Sequence, residues 1–149
     1  MKPRTRMHTA EHILSAVMRI DYGAPRNLEL HLGDKKTKCD YEPSRSVNPE
    51  DIAAISDKVN KEIQKNHPVS HFVIPRTEAV EYDLWKAPED AREIRIVKIG
   101  DLDAQPCSGE HVARTQEIGS FRITSHEWRE NGRLRIRFKV GNVQNQLQK

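Results

Sequence analysis

The chain has 149 residues, of which 36% are hydrophobic and 32% are charged, and its net charge is +3. This length suits one domain that buries a core without disulfides, so we expect a single domain over residues 1–149. The net charge is too small to indicate a nucleic-acid partner by itself, and no low-complexity tract indicates disorder. No apolar run approaches membrane-spanning length and no signal-peptide pattern precedes the two cysteines. We therefore expect a cytoplasmic protein without a membrane partner.

The first predicted element is an amphipathic helix over residues 7–21. Its apolar residues recur with helical spacing, and they are Ala10, Ile13, Leu14, Val17 and Met18. His8 and His12 fall on the opposite side, together with Ser15 and Arg19. The histidine pair is therefore predicted to face a polar cleft.

A β-hairpin and a second helix are predicted next. Leu28, Leu30 and Leu32 alternate with polar residues, and residues 36–41 are expected to return as the second strand. Asn48-Pro49 is typical of a helix start, with asparagine as the N-cap and proline in the first turn. This helix is expected to end before Pro68.

The second half of the chain is predicted to be mainly strands. Residues 71–74 and 94–99 have strand patterns, and a short helix is predicted over residues 77–85 between them. Asn131-Gly132 is a strong hairpin signal between two later strands. Helices and strands are mixed without a βαβ alternation, which predicts an α+β fold with a mostly antiparallel sheet and both helices on one face. The polar residues 141–149 are expected to fray.

Two pairs of residues are the candidate metal ligands. His8 and His12 are four residues apart, and so are Cys107 and His111. One thiolate and three imidazoles form a donor set that suits zinc. Either pair alone is explained as well by an exposed helix face or a buried cysteine, but their joint occurrence predicts one zinc site that the fold must assemble. Four protein ligands would close a tetrahedron, so both a structural and a catalytic ion remain open.

The segment around the histidine pair has a second interpretation. His8-Thr9-Ala10-Glu11-His12 matches H-x-x-E-H, in which two histidines bind zinc and the glutamate is the general base of a metalloprotease. The short chain argues against a protease, as do Cys107 and His111 where such enzymes usually supply a carboxylate. Glu11 is expected to border the site or to be a solvated helix residue.

A stripe of cations is the candidate RNA-binding surface. Its members are Arg133, Arg135, Arg137 and Lys139, with Arg114 and a basic N-terminal arm of Lys2, Arg4 and Arg6. These side chains are predicted to contact phosphates, although a solvated strand face explains the same pattern. The few aromatic residues predict that the RNA backbone is contacted more than the bases. A noncatalytic, zinc-stabilised RNA-binding module therefore stays an alternative to an enzyme, and DNA is not expected as a partner.

The candidate ligands lie in segments that resemble a known family. The H-x-x-x-H pair, together with Asp-Ala-Gln-Pro-Cys-Ser-Gly-Glu-His-Val at residues 103–112, resembles the editing domain of alanyl-tRNA synthetase and its free-standing AlaX homologues. The segments 30–33 and 114–119 add to the resemblance, which covers about residues 7–140. The chain is similar, more distantly, to the editing domain of threonyl-tRNA synthetase. The resemblance implies the fold of this second additional domain, and the chain length implies the small AlaX form.

The resemblance also implies an activity. It implies hydrolysis of the ester in mischarged alanine tRNA, chiefly seryl-tRNA and also glycyl-tRNA, because a pocket for a small apolar side chain rejects serine poorly. Zinc would be held by His8, His12, Cys107 and His111. Asn27 and His31, near the polar face of the early strand, are the candidate substrate-binding residues, and no residue is assigned as the catalytic base.

Overall fold

The structure is a computed structural model that describes residues 2–141. Its helices and strands follow one another as α1 (Pro3–Tyr22), β1 (Glu29–His31), β2 (Thr37–Tyr41), α2 (Pro49–Gln64), β3 (Val69–Pro75), β4 (Glu93–Ile99), β5 (Asp103–Pro106), β6 (Phe121–Trp128) and β7 (Leu134–Val140). These elements confirm the predicted α+β class. The fraying expected for the C-terminal segment falls, beyond Gly141, outside the described residues.

Helix α1 begins four residues earlier than predicted. Proline lacks the N–H that the first turn leaves unpaired, so Pro3 starts the helix without loss. The helix ends at Gly23, whose φ of 68° is the left-handed conformation that glycine adopts readily. The expected N-terminal arm is therefore mostly helical, and Arg6 donates two hydrogen bonds to the Ile118 carbonyl, at 2.8 and 3.0 Å.

Helix α2 has the start that the sequence predicts. The Asn48 side chain accepts a hydrogen bond from the Asp51 N–H at 2.9 Å, and the Asp51 carboxylate accepts one from the Asn48 N–H at 3.0 Å. This reciprocal pair satisfies two donors at the helix N-terminus. Ile55, Val59 and Ile63 are buried against the core.

The strands form two antiparallel sheets where one was predicted. The four-stranded sheet has the order β1-β2-β7-β6, and the three-stranded sheet has the order β3-β4-β5. Asn131 and Gly132, both with positive φ, make the turn between β6 and β7 as predicted. Strand β5 was not predicted, because its four residues have no apolar alternation.

The main core lies between the two helices and the four-stranded sheet. It includes fully buried residues from both layers, among them Ile13, Leu14, Met18, Tyr41, Ile63 and Phe138. A smaller apolar cluster of Ala79, Ile94 and Ile96 lies under residues 76–92. Among the described residues, no helix combines the length and apolar character needed to cross a membrane.

The helix predicted over residues 77–85 is wrong. Only a single 3₁₀ turn forms, at Arg76–Glu78, and turns continue to residue 92. The Asp83 carboxylate accepts a hydrogen bond from the Trp85 N–H at 3.1 Å, which stabilises a local turn in place of a helix. This segment, residues 76–92, is called the connecting segment below.

Candidate metal centre and adjoining cavity

The fold brings the two predicted ligand pairs together. Helix α1 carries His8 and His12 on one face, and the loop after β5 carries Cys107 and His111. Their ligand atoms all lie within 4.8 Å of one another. The two pairs come together because β5 lies at the edge of its sheet and packs beside α1.

The geometry of the four donors fits a single small cation. The Cys107 Sγ lies 3.4 Å from the His8 Nε2 and 3.4 Å from the His111 Nε2. Bonds of about 2.3 Å to sulfur and about 2.1 Å to nitrogen place tetrahedral ligands about 3.6 Å apart. The observed distances are close to that value, so the cluster has the spacing and the donor types of a tetrahedral metal site.

Thr9 orients the His111 ring. The threonine hydroxyl donates to the Thr5 carbonyl at 3.3 Å, so its oxygen is free to accept from the Val112 N–H at 3.1 Å and from the His111 Nδ1 at 2.9 Å. This arrangement assigns the His111 proton to Nδ1 and leaves Nε2 as the donor to a metal. Burial lowers the pKa of His111, which favours the same neutral ring.

Asp103 lies behind His12. Its Oδ2 atom is 3.6 Å from the His12 Nδ1, and neither buried atom has a hydrogen-bond partner in the described structure. The other oxygen, Oδ1, accepts hydrogen bonds from Arg19 at 3.0 Å and from Gln105 at 3.2 Å. Burial disfavours protonation of His12, but Asp103, Cys107 and Glu11 outweigh it and raise the pKa of His12 to about 10. The carboxylate therefore lies where it can hold the ring proton at Nδ1 and direct Nε2 away from itself.

Cys107 is poised as a thiolate. Burial raises its pKa, but its interactions with the three histidines are stronger in sum and lower the pKa to about 3. The thiolate is the form that binds metal. Arg95 fixes the loop by donating to the carbonyls of Cys107 and Gly109, at 2.8 and 2.9 Å. Gly109 has no room for a side chain, because a Cβ atom there would overlap the His8 ring.

A small cavity, lined mainly by polar and charged residues, opens beside the ligand cluster. Its volume is about 120 Å³, below the range of about 300–1,000 Å³ that is usual for drug-sized ligands. The polar face of α1 forms one wall, β5 and its loop another, and the connecting segment closes the side. The cavity therefore suits a small group better than an extended peptide.

Glu11 lies inside this cavity and is only 4% exposed. Of the two expectations for Glu11, the solvated helix residue is wrong, because its side chain lies on the face of α1 that borders the cavity and is buried there. Its Oε2 accepts from Ser15 at 2.6 Å and from Asn27 at 2.5 Å, while its Oε1 lies 3.9 Å from the His12 Nε2. Glu11 thus borders the candidate metal centre and presents a carboxylate to the cavity.

The two candidate substrate-binding residues have different positions. Asn27 is buried in the cavity wall, where its amide donates to Glu11 and its carbonyl accepts from Lys86. His31 is exposed at the end of β1 and does not line the cavity, whereas its neighbour Leu30 does. The two remain candidate substrate-binding residues, with Asn27 the better placed.

The candidate RNA-binding cations are largely engaged within the protein. Arg135 makes two hydrogen bonds to Asp40, at 2.8 and 3.0 Å, and Arg137 makes one to Glu127 at 2.8 Å. Arg114 is exposed and donates to the Asn66 carbonyl at 2.7 Å. Arg133 makes no ion pair within residues 2–141. Their contact with RNA stays a prediction, and Arg133 is the stripe arginine most available for it.

Replacement of Arg135 with alanine is expected to lower the melting temperature by a few degrees. Asp40 is almost fully buried, and without Arg135 its carboxylate would lose both hydrogen bonds. Those bonds lower the pKa of Asp40, so its contribution to stability is complete above an unfolded pKa of about 4 and is lost as the pH falls through the lower folded pKa. The melting temperatures of the wild type and the variant should therefore differ most near neutral pH, begin to converge as the pH falls below about 4, and meet only below the folded pKa of Asp40. Arg133→Ala is the matched control and should melt like the wild type, whereas an unchanged melting temperature for Arg135→Ala at pH 7 would contradict a structural role.

Some site residues escaped the sequence analysis. Thr9 and Asp103 lie in the motifs that were singled out, and their polar side chains next to the ligands were the available signal. Trp85 and Lys86 line the cavity from the connecting segment. That segment has no periodicity, so nothing in the sequence indicated which of its residues return to the site.

Comparison with known proteins relates the segment that contains Cys107 and His111 to a described family. A family model described as the threonyl and alanyl tRNA synthetase second additional domain matches residues 94–137, which include Cys107 and His111. The chain is 35% identical over 144 residues to an alanine–tRNA ligase of Rickettsia akari (strain Hartford). It is 33% identical to that of Rickettsia rickettsii (strain Sheila Smith) and 34% identical to that of Rickettsia massiliae (strain Mtu5). Each match covers 90% of this chain but only 16% of the relative's length. Residues 94–137 therefore match the threonyl and alanyl tRNA synthetase second additional domain, and the chain as a whole is similar to one part of alanine–tRNA ligases.

Proposed function

We propose that this chain is a zinc-dependent hydrolase that deacylates mischarged alanine tRNA, with seryl-tRNA as its main substrate and glycyl-tRNA as a second one. The observation that carries the proposal is the position of the four-ligand cluster at the wall of a cavity small enough for one aminoacyl group. The similarity to alanine–tRNA ligases supports alanine tRNA as the partner. A protein that acts on charged tRNA would work in the cytoplasm.

The donor set supports zinc as the ion. Zinc accepts thiolate and imidazole ligands in tetrahedral geometry, and His8, His12, Cys107 and His111 offer that combination. Bound zinc would supply a positive charge for polarising the ester or for anchoring the substrate. The protein residues would do the remaining work, since Thr9 holds the His111 ring by a hydrogen bond and Asp103 lies where it can orient the His12 ring.

Within the cavity, Glu11 is the group best placed to meet the aminoacyl moiety. Its Oε1 atom makes no hydrogen bond in the described structure, whereas Ser15 and Asn27 hold Oε2 in place. A fixed carboxylate of this kind would accept hydrogen bonds from an α-ammonium group or from a serine hydroxyl. A site built to hydrogen-bond a hydroxyl discriminates against analogues that lack it, which explains the expected preference for serine over alanine.

A noncatalytic, zinc-stabilised RNA-binding module is the second candidate. The observation in its favour is the number of protein donors, because four ligands complete a tetrahedron and leave no position for water. A metalloprotease is less favoured: the cavity is small, and Cys107 occupies the position where such enzymes usually have a carboxylate.

A deacylation panel would test the proposal. The zinc-loaded protein is incubated with alanine tRNA charged with serine, glycine or alanine, and the remaining ester is measured over time. We expect rapid loss of the seryl ester, slower loss of the glycyl ester and little loss of the alanyl ester. Three intact esters together with tight tRNA binding would overturn the proposal in favour of the noncatalytic module. Cleavage of a casein substrate in a parallel reaction would favour the metalloprotease.

A further inference from the structure

An exposed tryptophan lies at the edge of the cavity. Trp85 is 57% exposed, although it lines the same cavity as Cys107 and His12. Removing the apolar surface of a large aromatic side chain from water is favourable. Its place beside the cavity makes it available to a ligand that offers a flat apolar surface.

The tryptophan is held in a defined orientation. The Asp83 carboxylate accepts one hydrogen bond from the backbone N–H of Trp85 at 3.1 Å and another from the Arg26 Nε at 2.7 Å. The Arg26 guanidinium carbon lies 5.1 Å from the centroid of the Trp85 ring, which is the geometry of a cation–π contact. Arg26 thus covers one side of the ring, and the exposed fraction shows that much of the remaining surface is open to solvent.

Two cationic side chains lie beside Trp85, and one of them, Arg26, pairs with the Asp83 carboxylate. Arg26 and Lys86 both line the cavity next to it, and the Lys86 ammonium donates to the Asn27 side chain inside. Proteins that bind single-stranded nucleic acid combine an aromatic platform for a base with cations for the phosphates. Arg26, Trp85 and Lys86 offer this combination where a chain end would enter the cavity.

We propose that Trp85 stacks on an unpaired nucleobase at the 3′ end of an RNA strand, with Arg26 and Lys86 beside its phosphates. This inference rests on the proposed function, because the terminal ribose would then carry the aminoacyl group into the cavity towards Glu11 and the ligand cluster. It also revises the expectation that bases contribute little to binding.

The experiment measures binding of an uncharged RNA and needs no hydrolysis. The probe is a short RNA hairpin with three unpaired nucleotides at its 3′ end, and a blunt-ended hairpin of the same stem is the reference. Stacking on one aromatic side chain contributes about 1–3 kcal/mol, so Trp85→Ala should weaken binding of the overhang probe roughly 5- to 150-fold. Trp85→Phe should restore most of the affinity. Blunt-hairpin binding should change little in either variant.

Trp128→Ala is the matched control. Trp128 is 49% exposed and lines a separate surface depression with Arg133 and Glu29, so its removal should leave overhang binding unchanged. Equal overhang affinity of Trp85→Ala and the wild type would overturn the proposal, and so would an equal loss in both alanine variants. The protein could also bind the overhang through Trp85 and still show no deacylase activity. That result would support the base-stacking site and contradict only the proposed function.

Discussion

Replacement of Cys107 with alanine is expected to abolish stoichiometric zinc binding and to reduce hydrolysis of seryl-tRNA to background. Cys107 supplies the one sulfur in the cluster and lies 3.4 Å from two of the imidazoles. Without it, three histidines remain, and the contact between the Cys107 sulfur and His8 on α1 is lost. Zinc content after gel filtration and the initial rate of deacylation are the two measurements.

Thermal unfolding provides a test of the same variant that does not depend on activity. A ligand at 100 times its dissociation constant stabilises the folded state by about 2.7 kcal/mol, so added zinc should raise the melting temperature of the wild type. The same addition should leave Cys107→Ala unchanged. A variant that is folded, binds tRNA and is inactive would support the hydrolase, whereas global unfolding would support a structural ion.

Cys39→Ala is the control for the loss of a thiol. Cys39 is fully buried on β2, where its sulfur lies 3.9 Å from the Ile136 carbonyl, and it does not belong to the ligand cluster. This variant should keep one zinc ion per chain and the wild-type rate, with a modest loss of stability from the small cavity. Full zinc content in Cys107→Ala would contradict the proposed ligand set.

The four candidate ligands could be predicted from the sequence because spacing carries the information. His8 and His12 lie on one face of any helix that contains them, and a half-filled tetrahedron requires a second pair elsewhere. The start of α2 and the Asn131-Gly132 turn could be predicted for a similar reason, since each depends on a few adjacent residues. Local chemistry was sufficient for these features.

Other features depend on contacts between distant parts of the chain, which no local pattern encodes. The stripe on β7 has the alternation of an exposed strand face, but β2 places Asp40 opposite Arg135, and the alternation gives no sign of the ion pair that these two side chains form. The connecting segment has no hydrophobic periodicity, and the hydrogen bonds that Asp83 accepts from Arg26 and from the Trp85 backbone N–H help to place Trp85. The sequence left open whether Glu11 borders the site or is solvated, because the cavity that encloses it is formed by residues from four separate parts of the chain.

Replacement of Asp103 with alanine is expected to weaken zinc binding about 10- to 100-fold while leaving all four ligands in place. Partners that orient a metal-bound histidine typically contribute this much to metal affinity. In the structure, Asp103 Oδ2 faces the His12 Nδ1 at 3.6 Å, and both atoms are buried without another partner. The alanine variant would leave the His12 ring free to rotate and to change its tautomer.

Competition with a chromophoric chelator gives the zinc affinity, and the visible spectrum of the cobalt-substituted protein shows whether the tetrahedral, sulfur-containing geometry persists. We expect a retained spectrum with weaker affinity for Asp103→Ala, and a smaller loss for Asp103→Asn, because the single amide oxygen can still accept from one of the two donors, Arg19 or the His12 Nδ1–H. Asp101→Ala is the matched control, since Asp101 is an exposed turn residue two positions earlier. If Asp103→Ala binds zinc as tightly as Asp101→Ala does, then Asp103 serves only to pair with Arg19, and the orientation of His12 must come from the packing of α1 alone.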